Sequence, residues 1–168
     1  MPNVLLAIVA FILYGALAVY FWREHARGAG DSLNKGMAGH LILLPLGLHA
    51  YLLAQDVFAS DGFNLSVANA LSLIVWLTLV VYWVARFFYP IGGFQTLILP
   101  VAAVAVVLPE LFSAEHTLDN TNLLAFKAHI SAAMLAYSLF TIAVLHAVLI
   151  AQVEKRLHHA QMPRVLLS

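Results

Sequence analysis

Five runs of mostly apolar residues, separated by short polar connections, constrain this chain more than any other feature of its sequence. A bilayer core of roughly 30 Å asks for about 20 such residues in a helix, and each run is long enough. Together they predict an all-α integral membrane protein, a bundle of about five transmembrane helices forming a single domain, followed by a tail over 153–168. The predicted spans are 4–22, 36–55, 66–88, 91–112 and 122–152.

The composition excludes a water-soluble domain. Of the 168 residues, 63% are hydrophobic and 10% are charged, whereas soluble domains have about 45–50% apolar and about 25% charged residues. The partner implied by this composition is membrane lipid. A net charge of zero gives no sign of a nucleic-acid partner. The absence of cysteine rules out disulfides, thiolate metal sites and covalent attachment of haem to this chain.

The distribution of basic residues predicts the orientation of the helices. Positive charge is concentrated in alternate connections and in the tail, at Arg23, Arg27, Lys35, Arg86, Lys155, Arg156 and Arg164. The other connections are acidic, and Lys127 is the basic residue nearest to them. Because cytoplasmic segments carry the excess of Lys and Arg, the N-terminus is predicted outside and the tail in the cytoplasm. The first run lacks a preceding basic residue, which favours a retained helix over a cleaved signal peptide.

Four of the eight histidines lie inside the apolar runs, where an ionisable side chain is costly and marks a functional site. His49 lies seven residues before Asp56, and His129 lies seven residues after Asn122. At 1.5 Å per residue, both are roughly 10 Å below the outer surface. Two histidines on different helices at one depth are suited to hold a haem from its two faces.

Other interpretations of these histidines remain open. His40 and His146 form a second, shallower pair near the cytoplasmic side, which would allow a b-type electron carrier with two haems. Nine residues separate His40 from His49, which puts them on opposite faces of an ideal helix and disfavours that arrangement. Hydrogen bonds between helices, or a proton path, are the remaining alternatives for His49 and His129.

The third run supplies polar side chains at the same depth. Asn69, Ser72 and Trp76 are spaced i, i+3, i+7 and therefore share one helix face. Such side chains either bond to neighbouring helices or orient a ligating imidazole through its far nitrogen, and the sequence supports both roles equally. We find no nucleophile–base set, Gly-rich phosphate loop or acidic metal cluster, so an enzyme is not predicted.

The residues around these histidines resemble a known family. The matching stretches are Leu48–Leu52, Phe63–Ser66 with Asn69 and Ser72, Ala128–Ser131, Leu135–Ser138 and Gln161–Pro163. In order and spacing they resemble the bacterial cytochrome c assembly family, in its CcsA/HemX-like (YpjD-type) branch of inner-membrane proteins. The resemblance implies haem b bound within the bacterial inner membrane, His49 and His129 as candidate axial ligands, and other cytochrome c maturation proteins as partners.

Two departures from the family pattern limit what it implies. Haem-attaching members have a tryptophan-rich outer loop, whereas Trp22, Trp76 and Trp83 are scattered here, so no haem-attaching enzyme activity is predicted. Relatives also continue into further helices after the Met-Pro segment, which predicts that this chain is a shortened form. The leading hypothesis is a haem-handling protein that supports cytochrome c biogenesis. The alternatives are a cofactor-free scaffold subunit and a b-type electron-transfer cytochrome.

Overall fold

A computed structural model describes residues 2–26, 37–57, 63–89, 93–112, 117–118 and 123–165 of the chain. Helices account for most of these residues, and the rest are one pair of two-residue strands and short turns or connecting residues. The elements in order are α1 (Pro2–Ala26), a 3₁₀ helix (Met37–His40), α2 (Leu43–Val57), β1 (Phe63–Asn64), α3 (Val67–Ala85), α4 (Phe94–Leu111), β2 (Thr117–Leu118) and α5 (Leu124–Val165).

Four of the described helices are long and apolar enough to cross a membrane, namely α1, α3, α4 and α5. The all-α class and the multi-pass membrane character predicted from the sequence are therefore confirmed at this level. A fifth crossing and the orientation of the termini stay predictions. The predicted fifth span, 122–152, corresponds to the longest helix, α5, which continues to Val165.

The second predicted span, 36–55, differs from the structure at its start. Its α-helix begins at Leu43, after the 3₁₀ helix Met37–His40, and has 15 residues. Pro45 lies in the first turn of α2, where backbone N–H groups have no carbonyl partner within the helix. The N–H group that proline lacks therefore costs no helical hydrogen bond there. At 1.5 Å per residue, α2 alone is about 22 Å long, which is shorter than a bilayer core. The 3₁₀ helix supplies additional length to this segment.

Contacts between connections fix one end of the bundle, which we call the acidic end and define by Asp56 and Glu110. Here β1 pairs antiparallel with β2, and Phe63 lies opposite Leu118. Burial, and the negative charge of the nearby Glu110, raise the pKa of Asp56. The connections that follow α2 and α4 therefore lie together, as expected for helices that alternate in direction.

The opposite end, which we call the basic end, is defined by Arg23 in the last turn of α1 and Arg86 at the end of α3. Gly93 begins α4 there with a left-handed backbone (φ 79°). A Cβ atom at Gly93 would lie 3.3 Å from Cε1 of His25, so the residue is next to the last turn of α1. The helices therefore alternate between two well-separated ends, as the spacing of the apolar runs predicts.

Helices α1 to α4 form a four-helix ring, in which each helix packs on the next and α4 packs on α1. The contact between α1 and α4 is the most extensive, and α5 lies outside the ring against α3 and α4. Small side chains, including Ala7 and Ala10 of α1 and Ala102 of α4, are buried in this contact region. In lipid, where apolar surfaces gain little by avoiding the solvent, close approach of small residues is a main source of helix packing energy.

Candidate functional site

A buried histidine lies at the centre of the four-helix ring. His49 of α2 is only 1% exposed. Its Nε2 atom is 2.8 Å from Oγ of Ser72 on α3, and its Nδ1 atom is 3.4 Å from the hydroxyl oxygen of Tyr14 on α1. We call this arrangement the Tyr14–His49–Ser72 chain. It connects three helices through one imidazole.

Both tautomers of neutral His49 are compatible with this geometry. In one, Nε2–H donates to Ser72 and the Tyr14 hydroxyl donates to Nδ1. In the other, the Ser72 hydroxyl donates to Nε2 and Nδ1–H donates to the Tyr14 oxygen. Since a neutral imidazole has one donor and one acceptor, either arrangement occupies both ring nitrogens. The ring also packs edge-on against Tyr14, with an interplanar angle of 76°.

The start of α3 explains why its polar residues face this region. Ser66 is the N-cap, and its hydroxyl oxygen accepts the backbone N–H of Asn69. This bond satisfies one of the free N–H groups of the first turn and fixes where the helix begins. The buried positions that follow, from Asn69 through Ser72 to Val75, recur every three residues along the same side of the helix.

The three polar residues singled out on this helix make different contacts. Ser72 bonds to His49, and Nε1 of Trp76 donates to the carbonyl oxygen of Leu46 on α2 at 3.0 Å. Nδ2 of Asn69 donates instead to the carbonyl oxygen of Asn64 in β1, also at 3.0 Å. Ser72 and Trp76 thus each bond to a neighbouring helix, which is one of the two roles left open by the sequence. The other role, orientation of a ligating imidazole, stays a prediction.

His129 lies on a different surface of the molecule. It is exposed on α5, and its imidazole makes no hydrogen bond to any residue that the structure describes. Nine residues later, the carbonyl oxygen of Ser138 lies 3.4 Å from Oγ1 of Thr78 on α3. At about 100° per residue, His129 is roughly 180° around the helix from Ser138. Its side chain therefore projects away from the four-helix ring.

The two histidines lie at similar levels along the bundle, and their depth in a membrane stays a prediction. Helices α3 and α5 run in the same direction and are adjacent at Thr78 and Ser138. Ser72 precedes Thr78 by six residues, and His129 precedes Ser138 by nine. For helices of similar tilt, His129 is therefore about 4–5 Å nearer the acidic end than the Ser72–His49 bond.

A haem held by both histidines of one chain does not fit this arrangement of helices. His49 has both ring nitrogens bonded inside the ring of helices, whereas His129 faces outward on α5. The imidazole of His129 is accessible on the surface of α5. Pairing of His49 and His129 on one iron stays a prediction that would require the Tyr14–His49–Ser72 chain to open.

The second histidine pair is at the basic end, where each ring packs on aromatic residues. His40 lies 6.2 Å from Trp83 and His146 lies 5.6 Å from Phe94, measured between ring centroids. Across the described part of the chain, no group of three or more His, Asp or Glu side chains is arranged to hold a metal ion.

Sequence reasoning missed Tyr14, which is fully buried and completes the polar chain. The signal for it was a phenol in the middle of the first apolar run, since a buried Tyr hydroxyl usually has a hydrogen-bond partner. The sequence also gave no indication that Tyr82 of α3 donates its hydroxyl proton to Gln95 of α4.

Comparisons of the chain with protein-family profiles, with curated proteins and with solved structures give no match. The likeness to the cytochrome c assembly family therefore stays a prediction from the sequence.

Proposed function

We propose that this chain is a haem-handling protein of the bacterial inner membrane that supports cytochrome c biogenesis. The observation that carries the proposal is His129, an ionisable side chain on an exposed face of an apolar helix, with an imidazole that has no hydrogen bond to the described residues. An intramembrane histidine in that position is costly unless it has a ligand or partner. The sequence resemblance around His129 and His49 implies haem b as that ligand.

The surroundings of His129 favour an apolar, planar ligand. Residues near it on the same exposed side of α5 are small, including Ala125, Ala132 and Ala136. They leave room for a flat ring system against the helix surface. Bound haem would supply an iron for His129 to coordinate, and the apolar face of α5 would provide the surface for haem to bind against. Because His129 lies in the outer half of the predicted membrane, the site is on the side where cytochrome c is assembled.

His49 has a separate role in this proposal. Its hydrogen bonds to Tyr14 and Ser72 hold α1, α2 and α3 together, so it positions helices and leaves His129 as the residue that meets haem. The hydrogen bonds of His49 also favour a second candidate function, a cofactor-free scaffold subunit, because a histidine with both ring nitrogens bonded needs no ligand. The two functions differ in what they require of His129.

Visible absorption spectra of the detergent-purified, haem-reconstituted protein test the proposal. We expect a Soret band and sharp bands on reduction in the wild type, and their loss in His129→Ala. A matched control is His25→Ala, which removes an exposed histidine from the basic end and should leave the spectrum unchanged. His49→Gln, in protein shown to be folded by circular dichroism, should retain the Soret band.

Two outcomes would decide against this account. Loss of the spectrum in folded His49→Gln as well as in His129→Ala would favour the bis-histidine site. Failure of well-folded wild-type protein to take up any haem would favour the cofactor-free scaffold.

A further inference from the structure

An unpaired, buried cation lies at the basic end of the bundle. Arg86 follows the last residue of α3 and is 8% exposed. Its Nη1 atom is buried and has no hydrogen-bond partner. The guanidinium carbon lies 5.2 Å from the centre of the Phe87 ring, which contacts the cation without accepting a hydrogen bond in the plane of the group. A buried guanidinium group in this state is unfavourable unless an acceptor binds to it.

A second buried donor lies one turn earlier on the same helix. The indole Nε1 of Trp83 is buried without a hydrogen-bond partner. The indole packs edge-on against the Phe87 ring, with 5.1 Å between the ring centroids, so Trp83 and Arg86 contact the same aromatic side chain. The contrast with Trp76 on the same helix is informative, because its indole donates to a carbonyl oxygen of α2. Among the residues that the structure describes, the buried side-chain donors without a partner are thus at the end of α3.

An anionic acceptor at the membrane surface fits these donors best. A planar guanidinium group matches the oxygens of phosphate, and an indole N–H can donate to a further oxygen of the same group. The position is an interfacial one, since Phe87 and Phe88 beside it are large exposed aromatic residues at the end of an apolar helix. Phosphate occurs at this level of a bilayer in lipid headgroups, and basic sites at helix ends bind anionic ones.

We propose that Arg86 and Trp83 bind the phosphate group of an anionic phospholipid at the basic end of the bundle. The site is independent of haem, and it lies at the opposite end of the bundle from His129. Arg86 keeps a small part of its surface open, so the headgroup binds at the edge of the protein. No acidic side chain among the described residues neutralises Arg86, and the lipid phosphate supplies the compensating negative charge.

Thermal unfolding of the detergent-purified wild type, with added lipid, tests this assignment. We expect phosphatidylglycerol to raise the unfolding temperature and phosphatidylcholine to have a much smaller effect. Arg86→Lys keeps the charge but loses the forked geometry, and we expect the apparent dissociation constant for phosphatidylglycerol to increase about tenfold. Trp83→Phe should weaken binding to a smaller extent. The matched control is Arg23→Gln, which removes an exposed cation from the same end and should respond as the wild type does.

The proposal is overturned if the wild type responds equally to phosphatidylglycerol and phosphatidylcholine, or if Arg86→Lys binds as tightly as the wild type. An equal response to inorganic phosphate alone would overturn the assignment to lipid, because it would place a free anion at Arg86. Mass spectrometry of the intact wild-type protein released from detergent gives a second measurement that needs no variant. Retention of phosphatidylglycerol in preference to phosphatidylcholine supports the proposal, and equal retention contradicts it.

Discussion

Replacement of Ser72 by Ala should measure how much the Tyr14–His49–Ser72 chain contributes to stability. Ser72 and His49 are each 1% exposed and their side chains are 2.8 Å apart. Removal of the hydroxyl leaves a buried ring nitrogen without a partner, which costs about 1–3 kcal/mol in proteins generally. Hydrogen bonds between membrane helices average about 0.6 kcal/mol, with a maximum of about 1.7. We therefore expect Ser72→Ala to lower the unfolding free energy by about 1 kcal/mol.

Tyr14→Phe should have a smaller effect, of about 0.5 kcal/mol or less, because its hydroxyl is 3.4 Å from Nδ1 and the bond is long. Reversible unfolding in mixed micelles with increasing sodium dodecyl sulfate measures both changes. Ser131→Ala is the matched control, since Ser131 is exposed on α5 and should change stability by less than about 0.5 kcal/mol.

A double-mutant cycle separates the hydrogen bond from the rest of the substitution. His49→Leu removes the imidazole, so the added effect of Ser72→Ala in that background should be close to zero. The difference between the two backgrounds gives the coupling energy, for which we expect about 1 kcal/mol. If Ser72→Ala resembles Ser131→Ala in the wild-type background, the hydrogen bond contributes nothing measurable and the reasoning is refuted.

Two further predictions concern glycines and pH. Gly93→Ala should destabilise the protein by about 1–2 kcal/mol, because the backbone at Gly93 is left-handed. Gly47→Ala should stabilise it by up to about 1 kcal/mol, because a Cβ atom there would meet nothing within 4 Å. Unfolding in mixed micelles measures both changes, and equal effects would contradict the backbone conformation of Gly93. The pKa of Asp56 is raised in the folded state, which means that the folded protein favours the protonated carboxyl group. The resulting contribution to stability is present at acidic pH and is lost as pH rises through the pKa of the folded state. The difference in unfolding free energy between the wild type and Asp56→Asn should therefore depend on pH, and Glu110→Gln should weaken that dependence. A difference that is constant with pH would contradict the raised pKa of Asp56.

The sequence predicts the helices well where their composition leaves no alternative. The first, third and fourth predicted spans overlap the helices of the structure closely, because a long apolar run bounded by polar residues has few other ways to satisfy its backbone in a membrane. The predicted start of the second span differs more from the structure, in which the α-helix begins at Leu43. Its start depends on whether Gly36, Gly39 and Pro45 continue one helix or interrupt it, and local propensity does not decide that.

The relative levels of His49 and His129 along the bundle were predictable from the sequence, but the direction in which His129 faces was not. Counting residues from the span boundaries places His49 and His129 at similar levels, and the structure agrees within about one turn of helix. Which face of α5 meets the bundle depends on packing against α3 and α4, and a helix that is apolar all round gives no preference. For the same reason, the partnership of Tyr14 with His49 could not be inferred, since it depends on which helices are neighbours.

The closed ring of α1 to α4, with α5 outside it, has a consequence for biosynthesis. The chain leaves the ribosome from its N-terminus, so α1 enters the membrane long before its main neighbour, α4, has been made. During that interval the small-residue face around Ala10 is open to lipid or to a helper protein. Once α4 arrives, the ring can close without α5, which joins a preassembled unit. A chain that ends after residue 112 and has been released from the ribosome should therefore yield a species in which α1 is already protected from chemical labelling in the membrane.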